Sequence, residues 1–269
     1  MEFDFRARSV DTIKPIYHFP GDELVDEETY EQCMTGGYMS TISFGVGAAK
    51  SLGLQIDAET LERWKRICSA AYLIDDFVDN AHDTKTACDL YDESMRQVFE
   101  MTNEQILNKA NLPNGASELL PPAILLMKNS VMALSQAQVQ QLQESAMGIN
   151  NITREKLGCD DMMAYITLLK QEAHYTSALI SESVSENVYR QPTYPQYELW
   201  CRQLMIMAIL GDSTIDMRDD SRHDIMKIQP SIANLGKLAL HAYGAGRKII
   251  KSKPQRRATY ASLIERAKF

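Results

Sequence analysis

Long apolar runs, strand-like alternation, basic blocks and paired cysteines are all scarce in this chain of 269 residues. No run approaches the roughly 18 apolar residues that a helix needs to cross a bilayer. The N-terminal stretch MEFDFRARSV has no apolar signal core, so the expectation is a cytoplasmic protein without a membrane span. The cysteines, at Cys33, Cys68, Cys88, Cys159 and Cys201, are odd in number, far apart and without CxxC spacing. That pattern excludes a disulfide framework and a cysteine zinc site, and reads as reduced thiols, mostly in a core. The net charge is -8, and no useful Lys/Arg block precedes the tail KIIKSKPQRR. A phosphate backbone would be repelled, so no nucleic-acid partner is expected. Any anionic substrate must instead be met by local basic side chains or by bound cations.

Three weaker patterns also lead nowhere. The five histidines show no paired metal spacing, and only His174, one turn past Lys170, is placed to face a pocket shared with that lysine. Gly45-Val-Gly-Ala-Ala-Lys50 lacks Walker spacing and a preceding strand. Asn151-Ile-Thr153 matches a glycosylation sequon, an accident in a cytoplasmic chain.

What is present is helical. Over residues 58–80, Leu61, Trp64, Ile67, Ala71 and Ile74 recur near the helical period, and residues 121–147 read as one further helical stretch. Asp57, the Pro121-Pro122 pair and Pro195 signal helix starts. Breaks are expected at 111–115, at Gly158 and at 191–195. About eight helices result. No linker or low-complexity tract divides them, so the chain reads as a single all-α domain spanning 1–269.

The informative residues interrupt this apolar pattern. After ICSAAYLI come Asp75, Asp76, Asp79 and Asp83. Residues four apart stack on one helix face, so Asp75, Asp79 and Asp83 share a face with Asp76 to one side. Like charges so placed repel by a few tenths of a kcal/mol per pair, and the helix dipole opposes them near a C-terminus. Something positive should compensate. Residues 204–220, LMIMAILGDSTIDMRDD, repeat the design with Asp212, Asp216 and Asp220. If both helices run the same way, the two acidic ends meet above a pocket lined by the apolar turns below. There they could clamp Mg2+, which takes one or two carboxylates plus waters and phosphate oxygens. A phosphorylated ligand with an apolar body is implied.

These two segments carry a resemblance. DDFVD at 75–79 is similar to the DDxxD motif of class I isoprenoid enzymes, the trans-prenyl diphosphate synthases and terpene synthases. DSTIDMRDD resembles their second metal motif: Asp212, Asp216 and Asp220 match the ligand positions of the cyclase form, with Asp for Ser/Thr and Asp for Glu. Against the prenyl synthase form, Ser213 replaces the second Asp. Lys170 resembles the lysine of the prenyl synthase helix that contacts diphosphate, and Lys227 resembles the lysine after the second motif. Asn234-Leu235 is similar to the closing NL of the cyclase region. Arg256-Arg257 with Tyr260 is a faint likeness to the cyclase RY pair. Where prenyl synthases carry GGKR, this chain has Gly36-Gly37-Tyr38-Met39. The glycines remain and both charges are gone, which disfavours holding a second diphosphate.

The resemblance implies an all-α class I isoprenoid synthase bundle with a central active-site cavity. It implies a Mg2+-dependent class I terpene synthase that ionises an allylic isoprenoid diphosphate, with three ions shared with the substrate diphosphate. Asp75, Asp76, Asp79, Asp212, Asp216 and Asp220 would hold the metal, and Asp75, Asp79, Asp212 and Asp216 carry the catalysis. Lys170, His174, Arg218, Arg222 and Lys227 would meet the diphosphate, and Tyr38 and Tyr72, with Phe44 and Tyr165, would line the pocket. Two alternatives stay open: a prenyltransferase with an unusual acceptor, and a non-catalytic partner subunit of a prenyl diphosphate synthase. A homodimer is among the assemblies the resemblance permits.

Overall fold

The computed structural model describes residues 14–34, 39–79, 84–108, 118–222 and 227–266. Within its helices, the side chains of 39–41, 44, 75, 76, 78, 79, 84, 85, 216, 218–222 and 264–266 fall outside the description. The described residues form twelve α-helices and no strand: α1 Glu27–Met34, α2 Met39–Leu52, α3 Ala58–Asp79, α4 Thr84–Phe99, α5 Asn103–Leu107, α6 Leu120–Met132, α7 Gln136–Gly158, α8 Met162–Ser181, α9 Glu186–Tyr189, α10 Tyr194–Arg222, α11 Ile232–Lys251 and α12 Lys253–Arg266.

Most of the expected punctuation is where the sequence put it. Asp57 accepts from the Thr60 amide (2.9 Å) at the start of α3, α7 ends at Gly158, and α10 opens with Tyr194-Pro195. The expected count of about eight is too low because α1, α5 and α9 are only four to eight residues long. The expected continuous helix over 121–147 is also corrected. It breaks after Met132, and Ser135 caps α7 by accepting from the Gln138 amide.

Side-chain anchors fix the helix directions. At the start of α7, Gln138 Nε2 donates to the carbonyls of Glu182 (3.0 Å) and Val184 (3.1 Å), while near its end Lys156 pairs with Glu172 (2.7 Å). The two helices are therefore antiparallel. They also approach closely, since a Cβ at Gly148 would lie 2.6 Å from the Tyr175 ring. At the start of α10, Tyr194 donates from its hydroxyl to Ser181 O (3.0 Å). Farther along, Leu210 and Met217 share a core with Tyr165, Ile166 and Leu169 of the first half of α8. Thus α10 also runs opposite to α8.

The start of α3 lies beside the end of α8. Trp64 Nε1 donates to Ile180 O (3.1 Å), Arg63 reaches Ser183 O (3.4 Å), and the Ser185 amide donates to Thr60 Oγ1 (2.8 Å). The other end of α3 is joined to α4 by residues 80–83, a reach of at most about 18 Å. The start of α4 is held on the second half of α7, where Asn150 donates to Cys88 O (3.0 Å) and Arg154 pairs with Asp89 and Asp92. So α3, α7 and α10 share one direction, and α4 and α8 the other. We call the end of the bundle around residues 180–185 the base.

Packing closes these helices into a ring: α3 on α4, α4 on α7, α7 on α8, α8 on α10, α10 on α2, and α2 back on α3. α6 lies against α3 and α4 and is buried nearly all round, as its mostly apolar sequence requires. α11 covers α10, and α12 packs along α2.

The first half of α3 departs from the expected amphipathic pattern. Glu62, Arg63, Lys65 and Arg66 are buried, because residues 16–30 lie over them. Arg66 makes two bonds to Asp22 (2.7 and 2.8 Å) and stacks its guanidinium 4.7 Å from the centre of the Phe19 ring. Glu62 accepts from the Ile16 amide (3.1 Å), the Tyr30 hydroxyl and Lys65 (3.2 Å).

Candidate functional site

Near the base, Trp64 of α3 and Tyr197 of α10 stack with ring centres 6.1 Å apart. Gly45 of α2 is seated against them: a Cβ there would lie 3.2 Å from the Tyr197 hydroxyl and 3.6 Å from the Trp64 ring. The segment 45–50 is thus mid-helix packing and not a phosphate loop, as its sequence spacing indicates.

From that stacked pair, α3 and α10 rise in the same direction. Asp79 and Asp212 each stand fifteen residues beyond it, or about 22 Å at the helical rise, with Asp75 about 16 Å and Asp216 about 28 Å along. The C-terminal ends of both helices, each bearing its aspartates, therefore lie at the same end of the bundle, opposite the base. α2 runs the other way, its end fastened to the base where Gln55 and Gln191 exchange two hydrogen bonds (2.8 and 2.7 Å). Met39 accordingly sits about 9 Å from Gly45 toward the acidic end.

Two helix C-termini carrying carboxylates concentrate negative potential there. The structure describes the Asp212 side chain, which is exposed and makes no ion pair among the described residues. A free carboxylate of this kind suits a hard divalent cation. The side chains of Asp75, Asp76, Asp79, Asp216, Asp220, Arg218, Arg222 and Phe44 lie outside the description, as do residues Tyr38 and Asp83 altogether.

The remaining candidates separate. Lys170, half-buried on α8, reaches across to α11, its Nζ 3.1 Å from His241 Nδ1. The ammonium can donate only to an unprotonated Nδ1, so the pair requires a neutral ring. Partial burial and the adjacent Lys170 charge both hold His241 below the usual histidine range. His174 is exposed and does not share this position; burial first, then the charge of Arg202, lowers its pKa. The imidazole that meets Lys170 is therefore His241 of α11. The two partners are 71 residues apart, and no local pattern marks them.

Lys227 is exposed ahead of α11. Asn234 has a structural role, its side chain donating to Gln229 O (3.1 Å) while its amide is capped by Ser231 (3.1 Å). Tyr165 is core, at 4% exposure. Tyr72 is 41% exposed. Arg256, Arg257 and Tyr260 are exposed on α12. All five cysteines are free thiols, and burial raises Cys68 and Cys201 to about 12, as expected of reduced core residues.

A direct check of the pair is the titration of His241. Its imidazole should titrate below an ordinary histidine, and Lys170→Met should move it upward by removing the nearby charge. Two-dimensional NMR of the ring protons measures this; an unchanged value in Lys170→Met would show that the two side chains do not meet.

No family model, curated protein or solved structure matches the chain. Among the described residues, no helix is long and apolar enough to cross a membrane.

Proposed function

We propose that the chain is a Mg2+-dependent class I terpene synthase of the isoprenoid-synthase fold, acting at the acidic end of the helical ring. The observation that carries the reading is the common direction of α3 and α10, which brings two aspartate series of equal spacing to one end. Asp75, Asp79, Asp212, Asp216 and Asp220 hold the metal, with Asp76 beside them. When bound, Mg2+ supplies Lewis-acid neutralisation of the charge that grows on a departing diphosphate. Lys170 donates to the diphosphate oxygens, and neutral His241 limits the positions its ammonium can take. Lys227, Arg218 and Arg222 add cations from the end of α10 and the segment after it.

In the reaction, the allylic C–O bond breaks and its electron pair leaves with diphosphate. The carbocation is then quenched by loss of a proton or by capture of water, the proton passing to solvent or diphosphate. Tyr38 and Met39 take the sequence positions at which prenyl synthases carry the two cations of GGKR. A diphosphate near committed carboxylates, in a chain of charge -8, is poorly held without them. This favours cyclisation or quenching over elongation.

Incubation with geranyl, farnesyl and geranylgeranyl diphosphates and Mg2+ tests the reading by mass spectrometry of the products. Hydrocarbon or alcohol should form without an added acceptor, and isopentenyl diphosphate should be neither consumed nor incorporated. Asp212→Asn should be damaging, whereas Ser213→Asp is tolerated, because Ser213 lies about 100° away around the helix. A longer prenyl diphosphate would return the chain to the elongating synthases. Product only with a foreign acceptor would assign prenyl transfer, and no diphosphate release under any condition would leave the partner-subunit role.

A further inference from the structure

The outer face of α11 combines two features that solvent alone does not explain. Ile232, Leu240, Tyr243 and Ile250 are 92%, 68%, 65% and 59% exposed. They fall within about 80° of the helix circumference along about 27 Å of its length. The opposite face already buries Leu238, Ala245 and Ile249 against the core, so the outer apolar stripe is a second one. Arg247, Lys251, Lys237 and Lys248 lie within and alongside the stripe and are exposed. α12 repeats the combination, with exposed Tyr260 (62%) and Leu263 (50%) among exposed Lys253, Arg256 and Arg257.

Charge sets this region apart. Residues 232–266 contain eight Lys and Arg against a single acidic residue, in a chain whose net charge is -8. None of those seven exposed cations makes an ion pair among the described residues, whereas Arg63, Arg66, Arg96, Arg154, Lys156 and Arg190 all do. A free positive field and an apolar ridge therefore share one surface.

We propose that the α11–α12 face binds the surface of an anionic lipid bilayer, α11 lying in the interface with its apolar ridge among the acyl chains near the headgroups. The ridge is convex and carries its cations alongside. A bilayer accepts apolar side chains to shallow depth and offers negative headgroups along the whole length. Lys and Arg stems can bury while their charges reach those headgroups. An acidic protein would have to supply both a long apolar groove and a matching carboxylate rim. The proposal is independent of the reaction assigned to the acidic end.

The test uses the full chain and co-sedimentation with vesicles of phosphatidylcholine alone or with phosphatidylserine. The protein should pellet with the anionic vesicles, remain in solution with the neutral ones, and be released by high salt. The double substitution Lys248→Glu with Lys251→Glu should weaken partitioning by at least about 25-fold, at roughly fivefold per cation lost. Leu240→Ser with Tyr243→Ser should weaken it with the charge untouched. Arg96→Glu with Arg190→Glu, an equal charge change on α4 and after α9, should leave it intact. These positions are exposed, and circular dichroism checks that each variant is folded. Failure to pellet with anionic vesicles overturns the proposal. So does binding that the apolar pair does not affect and that a soluble polyanion abolishes, since that would assign the face to polyanions in general.

Discussion

Asp75→Ala and Asp79→Ala should each lose at least about 100-fold in turnover while keeping the far-ultraviolet dichroism of the wild type. The reasoning is electrostatic. Removing a ligand withdraws the cation that stabilises charge on the leaving diphosphate, and losing one such stabilising contact commonly costs two to three orders of magnitude in rate. The fold should tolerate the loss, because α3 ends there in a cluster of like charges and a helix C-terminus already disfavours anions. EDTA should silence the wild type in the same way, and excess Mg2+ should restore it. Near-normal turnover in either variant would mean that the first aspartate series holds no catalytic metal.

The largest effect on stability is expected at the other half of the same helix. Arg66→Ala leaves Asp22 and fully buried Glu62 without their guanidinium partner. Breaking a buried ion pair by removing one member costs about 3–5 kcal/mol, because the other charge stays desolvated. The midpoint of thermal unfolding should fall by on the order of 10 °C. Arg154→Ala is the control: that side chain also bridges two aspartates, but it is 39% exposed, and such pairs are worth about 1 kcal/mol or less. Calorimetry compares the two directly. Equal shifts would show that residues 16–30 do not shield the buried charges as described.

How much of this was legible in the sequence depended on whether the signal was local. Asp57, Gly158 and Tyr194-Pro195 punctuate helices through chemistry local to their own turns, and a reader of the sequence can place them. The break at 133–135 also had a local sign, Ser135 followed three residues later by Gln138, but apolar residues at helical spacing continue past it at Val139 and Leu142 and masked it. The buried run Glu62-Arg63-Trp64-Lys65-Arg66 had none. Its charges look like a solvated face until residues 16–30 cover them. The aspartate spacing was visible at once, yet the common direction of α3 and α10 was not, because it is set by contacts between segments more than a hundred residues apart. The contact of Lys170 with His241, 71 residues further on, belongs to the same class.

The end of α8 shows what that separation means for folding. Five successive carbonyls, from Ile180 to Val184, accept side chains of Trp64, Tyr194, Gln138, Arg63 and again Gln138. A helix C-terminus that would otherwise expose its last carbonyls becomes the knot that ties α3, α7 and α10 together. The ties to α3 close loops of 116 to 125 residues, so they carry a large closure entropy and belong late in folding. During synthesis, α3 can wind as soon as it leaves the ribosome, but its anchor does not yet exist. It acquires that anchor only once residue 185 has emerged, and the two aspartate series can come to one end only later still, when α10 has followed through residue 220.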